Sequence, residues 1–286
     1  MSEIVTQSVS VRPSTGNLPW RLWAKQILAV LRLELRKSFL GRRALALYLL
    51  ALAPVFILLL RVLLGGVNDA GDTAEATTIF SAVYQGFLLR MVIFLGCVAI
   101  FGNLVRREVL DRTLHYYFLT PLRREVLVGA KYLTGLIVAT VLFGLSTLVS
   151  FILAYLPHEG VQTFLFQGPG LGHLASYLLI TALACLGYGA VFLFFGFFFK
   201  SPAIPALMVF GWEGIHFLLP PMLKKVSVIH YLQSLLPVPM SEGPLAILAD
   251  APSPWIAIPG LIVLAAVLVT VSAMKIRRME ISYEEE

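Results

Sequence analysis

Hydrophobic positions in this chain form six long stretches separated by short polar segments. The stretches cover residues 44–64, 82–105, 132–156, 174–199, 202–219 and 255–274. The hydrocarbon core of a bilayer is about 30 Å thick, and about 20 helical residues are needed to cross it. Backbone polar groups in lipid must be satisfied within a helix or a closed barrel, and these runs are too long for barrel strands. The pattern therefore predicts an all-α polytopic membrane protein with six transmembrane helices.

The segment before the first stretch has the pattern of an amphipathic helix. On a helical projection Arg32 and Arg36 belong to a basic side, whereas Trp20 and Trp23 lie opposite. A helix of this kind lies in the membrane interface, with these four side chains as anchors. We therefore expect a flexible cytoplasmic tail over residues 1–19, an interfacial helix over 20–43 and a six-helix transmembrane domain over 44–286.

Two segments between the stretches also have hydrophobic patterns that predict structure. After the second stretch, Leu114, Tyr117 and Phe118 share one helical face, and charged residues occupy the others. This spacing predicts a short amphipathic helix that ends before Pro121, because the residue before a proline avoids the helical region. The segment 220–254 is apolar but divided by prolines, which predicts short helices that dip into the outer leaflet before the last span.

Charge fixes the expected orientation. With the N-terminus inside, inner segments hold 18 Lys and Arg residues and outer segments hold two. Cytoplasmic loops carry such an excess, so both termini are expected in the cytoplasm and the protein in an inner or plasma membrane. The net charge of +6 is thus distributed by membrane side, and we expect membrane lipid rather than nucleic acid as the partner of the basic residues. Charged residues make up only 13% of the chain, fewer than in a soluble domain. Six helices and their loops would use nearly all of the 286 residues, so we expect no room for a separate soluble catalytic domain.

Arg90 and Glu213 are charged residues within apolar stretches. Such residues are costly in lipid and mark functional positions, so either they pair with each other or they line a translocation path. His216 follows Glu213 at a spacing of three, but a metal site needs more ligands, and we expect no metal site.

An intramembrane enzyme that uses Glu213 and His216 remains one alternative, and a passive channel another. The sequence has no GxxxxGK[ST], HExxH or CxxC motif, so we expect no catalytic residues and no ATP hydrolysis on this chain.

The order of these elements resembles that of the ABC type-2 transporter permeases. The closest local similarity runs from Glu108 to Lys131, where the chain has Glu108, a Thr-Leu pair at 113–114, a Leu-x-Pro turn at 119–121, and Lys131 at the start of the third span. Arg112 stands where that family often has glycine. The resemblance implies that 106–117 is a coupling helix seated on a separate cytoplasmic ATPase, with contact residues Glu108, Asp111, Arg112, Leu114, Tyr117 and Phe118.

The same resemblance implies a mechanism and partners. Two permease subunits, identical or different, would pair around a central path, with ATP and Mg on the partner ATPase and no cofactor on this chain. The usual outcome in that family is export of a lipid-linked, amphipathic or peptide-like substrate. Ion extrusion, or a permease that serves maturation of a periplasmic metalloenzyme, remains an alternative because the architecture would be the same.

Overall fold

The computed structural model describes residues 44–65, 73–102, 104, 124–158, 160–199, 201–215, 226–238 and 253–277, together with five helical residues between 27 and 35. Every regular element in these ranges is a helix. Five helices are long and apolar enough to cross a membrane: Ala44–Leu64, Thr73–Phe101, Glu125–Tyr155, Gly170–Gly196 and Pro254–Ile276. The prediction of an all-α, multi-pass membrane protein is therefore confirmed.

The elements are numbered here in chain order. They are α1 (Ala44–Gly65), α2 (Thr73–Ala82), α3 (Phe94–Phe101), α4 (Arg124–Tyr155), α5 (Val161–Phe166), α6 (Gly170–Gly196), α7 (Ala203–Gly214), α8 (Val228–Gln233) and α9 (Pro254–Arg277). A π-helical segment, Val83–Ile93, joins α2 to α3 without a break, so the second long helix is continuous from Thr73 to Phe101.

The six-helix count is not confirmed, because the fifth predicted span is not a long helix in the described residues. Its helix, α7, has 12 residues and ends at Gly214. Twelve residues rise about 18 Å, well short of a hydrocarbon core of about 30 Å. The predicted stretch continues to residue 219, but residues 216–225 lie outside the described residues.

Three long helices begin earlier than their apolar runs. The second starts at Thr73 rather than at residue 82, α4 at Arg124 rather than 132, and α6 at Gly170 rather than 174. The extra residues include polar and small ones, such as Thr73, Lys131 and Gly172, which interrupt the apolar run without ending the helix. In α2 the Thr77 hydroxyl donates to the Thr73 carbonyl at 2.8 Å, which keeps a polar side chain compatible with helix.

The bundle has two recognisable ends around α4 and α6. At one end, called the Val128 end, Val128 of α4, Leu193 of α6 and Ile276 of α9 form a buried cluster. At the other, the Tyr155 end, the Tyr155 ring stacks on Phe164 of α5 at 4.9 Å and contacts Phe80 of α2. The core runs between these ends and is rich in aromatic side chains.

Glycines allow the second helix to approach its neighbours closely. An ideal Cβ built at Gly135 of α4 would lie 2.7 Å from the Phe101 ring, and one at Gly189 of α6 would also lie 2.7 Å from that ring. Phe101 is itself buried. The ring therefore fills a space that exists because both facing positions lack a side chain.

We expect Gly189→Ala to destabilise the protein, since the new methyl group overlaps the Phe101 ring and overpacking of a core costs about 1–3 kcal/mol. Gly172→Ala on the same helix is the matched control, because nothing lies within 4 Å of its Cβ position. The melting temperature in detergent is the measurement. Equal melting temperatures for the two variants would contradict the described contact.

Candidate functional site

Glu213 lies in the last turn of α7, and its carboxylate contacts the start of α8. Oε1 accepts a hydrogen bond from the backbone N–H of Val228 at 2.9 Å and another from that of Ile229 at 3.3 Å. The Ser227 hydroxyl donates to the same oxygen at 3.2 Å. The first N–H groups of a helix have no partner within the helix. Glu213 therefore supplies the acceptor that α8 lacks.

The second carboxylate oxygen of Glu213 bonds to α6. Oε2 accepts a hydrogen bond from the Tyr188 hydroxyl. Tyr188 is buried, and its ring meets that of Phe94 edge-on at 5.4 Å. One side chain of α7 thus joins two other elements, α6 and α8.

Arg90, on the second helix, also belongs to this region. It lies in the π-helical segment and is partly buried. Phe94, four residues after Arg90 on the second helix, packs against the Tyr188 ring at 5.4 Å, so Arg90 and Tyr188 belong to the same region of the bundle. We call Arg90, Tyr188, Glu213 and Ser227 the polar centre. It gathers opposite charges and two hydroxyls between largely apolar helices.

A direct pair between Arg90 and Glu213 stays a prediction. If the two charges stabilise each other, Arg90→Gln and Glu213→Gln should each lower the melting temperature, and the double variant should recover part of the loss. Removing one member of a buried pair leaves the other charge uncompensated, which costs more than removing both. Neighbouring residues show coupling of about 0.5–3 kcal/mol in such cycles. Strictly additive losses would leave the hypothesis of a pair untenable.

The intramembrane-enzyme alternative, which uses Glu213 and His216, is not tested by the described residues. Its carboxylate is engaged by donors from α6 and from the start of α8. No group of three or more His, Cys, Asp or Glu side chains that could hold a metal ion occurs among the described residues. His216, the other residue of that alternative, lies outside them.

The segment 226–238, which contains α8, is also attached to the second helix at its C-terminal end. The Ser81 hydroxyl donates to the Val238 carbonyl at 2.8 Å, and the Gln85 amide donates to the same carbonyl at 2.8 Å. Gln85 also donates to the Ser81 hydroxyl at 2.6 Å. The 226–238 segment is thus held by Glu213 at its start and by the second helix at its end.

Glycines of two long helices form the surface beneath α8. A Cβ at Gly187 of α6 would lie 2.8 Å from Val228 Cγ1, and a Cβ at Gly260 of α9 would lie 2.7 Å from the Tyr231 ring. Gly187 lies 17 residues after the start of α6, about 26 Å along the helix axis. The helix α8 therefore contacts the apolar part of α6, while the short helices expected to dip into the outer leaflet stay a prediction.

A second polar network stabilises the half of the bundle nearer the Tyr155 end. The Tyr84 hydroxyl donates to the Tyr177 carbonyl and shares a hydrogen bond with the Thr181 hydroxyl, both at 2.9 Å. Thr181 in turn contacts the Thr147 hydroxyl at 3.1 Å. These buried hydroxyls are satisfied by one another and by backbone, which is the pattern of a structural network.

Most other predicted site residues lie outside the described residues. This holds for the coupling residues Glu108, Asp111, Arg112, Leu114, Tyr117 and Phe118, and for the anchors Trp20, Trp23 and Arg36. Arg32 is described, in helical backbone and with an exposed side chain. Their roles therefore stay predictions.

Sequence reasoning missed Tyr188 and Ser227. Tyr188 stands between two glycines in an apolar run, and a buried Tyr hydroxyl usually has a hydrogen-bond partner. Ser227 precedes Val228 and has the residue type of a helix N-cap. Neither signal identifies Glu213 as the partner, because the partners are 25 and 14 residues apart in the chain.

Comparison with known families matches residues 30–211 to the model of the ABC-2 family transporter protein. The match includes the first four described membrane-crossing helices and most of α7. No curated protein and no solved structure matches the chain. The chain therefore belongs to the ABC-2 family of transporter proteins, as a multi-pass membrane permease of ABC transport whose family pairs with an ABC ATPase subunit.

Proposed function

We propose that this chain is the permease subunit of an ATP-driven exporter, which works as a dimer and moves a lipid-like, amphipathic or peptide-like substrate outward. The observation that carries the proposal is the ABC-2 family match over 182 residues of the chain. ATP and Mg bind to the separate ATPase subunit, because the sequence has no phosphate-binding loop of its own. The second permease subunit is either a copy of this chain or a related one.

The orientation follows from the distribution of basic residues. The Val128 end faces the cytoplasm, since Arg124, Lys275 and Arg277 lie close to it in sequence and Lys and Arg accumulate on that side. Both termini and the segment 106–117 are then cytoplasmic. The Tyr155 end, with α5, faces outward.

The segment 106–117 transmits ATPase movement to the spans. Leu114, Tyr117 and Phe118 supply apolar contact area on one face, and Glu108 and Arg112 supply charges that fix the register of docking. The segment lies between the end of α3 and the start of α4 in the chain, so a push on it acts on both helices.

An apolar or amphipathic substrate suits the described helices. Large apolar side chains are exposed along α1, α4, α7 and α9, including Leu49, Leu145, Leu207 and Val263. The Glu213 carboxylate and the Tyr188 and Ser227 hydroxyls of the polar centre are engaged with each other and with backbone. A path beside these helices would favour a molecule with a substantial apolar part.

Reconstitution with the cognate ATPase tests the function. The purified chain alone should hydrolyse no ATP. With the ATPase in liposomes of phosphatidylethanolamine and phosphatidylglycerol, it should move a fluorescent NBD-labelled phospholipid or a labelled amphipathic peptide away from the ATPase side. ATP-dependent movement by the chain without an ATPase, or movement towards the ATPase side, would overturn the proposal.

Thiol labelling tests the orientation independently. A cysteine at Thr73 or Ser241 should react with an impermeant reagent added outside intact cells, and a cysteine at Thr113 should not. Labelling at position 113 from outside would reverse the proposed topology.

A further inference from the structure

The last helix, α9, has an aromatic residue and a cation one bilayer thickness apart. Trp255 near its start is 89% exposed, and Lys275 near its end is exposed as well. Lys275 follows Trp255 by 20 residues. This spacing is a rise of about 30 Å, which equals the hydrocarbon thickness of about 30 Å. Tryptophan concentrates at the membrane interface, so with Trp255 at one interface Lys275 lies at the depth of the lipid headgroups at the other.

An apolar side of α9 leads to Lys275. Val263, Val267 and Met274 are each exposed over at least half of their surface. Their spacings of four and seven residues put them on one side of the helix. Because α9 is long and apolar enough to cross a membrane, an acyl chain can lie along this side with its headgroup next to the Lys275 ammonium.

The Lys275 ammonium lies over an aromatic ring from another part of the bundle. Its Nζ is 5.2 Å from the centroid of the Phe198 ring, and Phe198 follows the end of α6. The contact joins α9 to α6, and in this it differs from that of a lysine that only snorkels to water. A ring attracts a cation without neutralising it. The ammonium therefore keeps its charge and N–H donors that can bind an anion.

The two helix ends that carry Lys275 and Phe198 are packed together. Leu193 of α6 and Ile276 of α9 belong to the buried cluster at the Val128 end. The Phe198 ring also contacts that of Phe194 at 4.9 Å, although 52% of Phe198 is exposed. The cation and the exposed ring are therefore held next to each other before any ligand binds, which lowers the entropic cost of binding.

We propose that Lys275 and Phe198 form a binding site for the headgroup of an anionic phospholipid, whose acyl chain lies along Val263, Val267 and Met274. The Lys275 ammonium donates to the phosphate, and Phe198 covers the first methylene groups of the lipid. A cation at the end of a membrane helix attracts anionic headgroups. A lipid fits better than an acidic protein surface, because exposed Phe198 and Met274 border the cation and continue into the apolar side of α9. The site is independent of the substrate and direction of transport.

Lipid retention by the purified chain tests the charge at this site. The full-length chain, without an ATPase, is exchanged into detergent that contains equal amounts of phosphatidylglycerol and phosphatidylethanolamine, and native mass spectrometry counts the bound lipids. Lys275→Gln should lower the ratio of phosphatidylglycerol to phosphatidylethanolamine at least threefold. Lys275→Arg is the matched control and should keep the ratio, because the positive charge remains. An unchanged ratio in Lys275→Gln, or an equal fall in both variants, would overturn the site.

A fluorescent reporter at Phe198 measures the site locally in liposomes. Phe198→Trp keeps a ring beneath the ammonium, and tryptophan is the strongest partner for a cation. After subtraction of the signal from the four native tryptophans, brominated phosphatidylglycerol should quench this variant more strongly than brominated phosphatidylcholine. Adding Lys275→Gln should reduce that preference at least twofold. An excess of inorganic phosphate should not restore the fluorescence, because free phosphate has no acyl chain to lie along α9.

Three results of these measurements would overturn the lipid site. The first is equal quenching by the two brominated lipids when Lys275 is present. The second is loss of the quenching on addition of inorganic phosphate, which would make the site one for a free anion. The third is an unchanged lipid ratio in Lys275→Gln together with weaker assembly with the ATPase, which would assign the cation to an acidic protein surface.

Discussion

Replacing Glu213 with leucine should lower the stability of the protein by several kcal/mol. The change removes the acceptor for Tyr188, Val228 and Ile229, which are all buried. A buried donor left without an acceptor costs about 1–3 kcal/mol. Unfolding in detergent, followed by the melting temperature, measures the loss.

Two further variants separate the contribution of the hydrogen bonds of Glu213 from that of its charge. Glu213→Gln keeps an acceptor oxygen and should retain more than half of the stability that leucine removes. Glu75→Leu removes an exposed carboxylate and should leave the melting temperature close to that of the unmodified chain. If the glutamine and leucine variants were equally unstable, charge rather than hydrogen bonding would be the main contribution of Glu213.

Loss of the apolar face formed by Leu114, Tyr117 and Phe118 should strongly weaken assembly with the ATPase. Buried apolar side chains contribute roughly 1.5–3 kcal/mol each. Combined replacement of Leu114, Tyr117 and Phe118 by alanine should therefore weaken binding by at least a hundredfold. Co-purification and titration with the ATPase measure this affinity, and the melting temperature of the isolated permease should not change.

Charge reversal at Glu108 separates binding from coupling. Glu108→Lys should leave the apolar contacts in place, so the ATPase should still assemble and hydrolyse ATP, while transport for each ATP falls. Undiminished transport in this variant would remove Glu108 from the coupling role. Loss of assembly would instead make Glu108 a main binding contact.

The long helices could be predicted from the sequence because crossing a bilayer requires an apolar run of about 20 residues, and such runs are visible in the sequence. The fifth stretch was predicted as a span for the same reason, and that prediction is not confirmed by the described residues. Its apolar composition continues past Gly214, but the helix ends there, next to a carboxylate that bonds to another element. Glu213 stands out in the sequence as a charged residue within an apolar run, but that signal does not reveal its role, which stays a prediction.

The partners of Glu213 could not be predicted. Hydrophobic periodicity describes which face of a helix is buried, not which neighbour covers it. Tyr188 and Ser227 meet the carboxylate only because α6, α7 and α8 are packed together, with Gly187 and Gly260 allowing α8 to come close. The π-helical segment was equally hidden, since no composition rule distinguishes it from an α-helix.

The π-helical segment, Val83–Ile93, changes the direction in which side chains point before and after it in the second helix. A π-helix carries more residues in each turn than an α-helix, so the side chains of α3 are rotated relative to those that a continuous α-helix would present. Ser81 and Tyr84 on one side, and Phe94 and Phe101 on the other, can therefore each face the bundle. Deleting one residue between them would rotate one half by about 100° relative to the other. Insertions and deletions in this stretch, more than substitutions, are thus the changes that this family member should tolerate least.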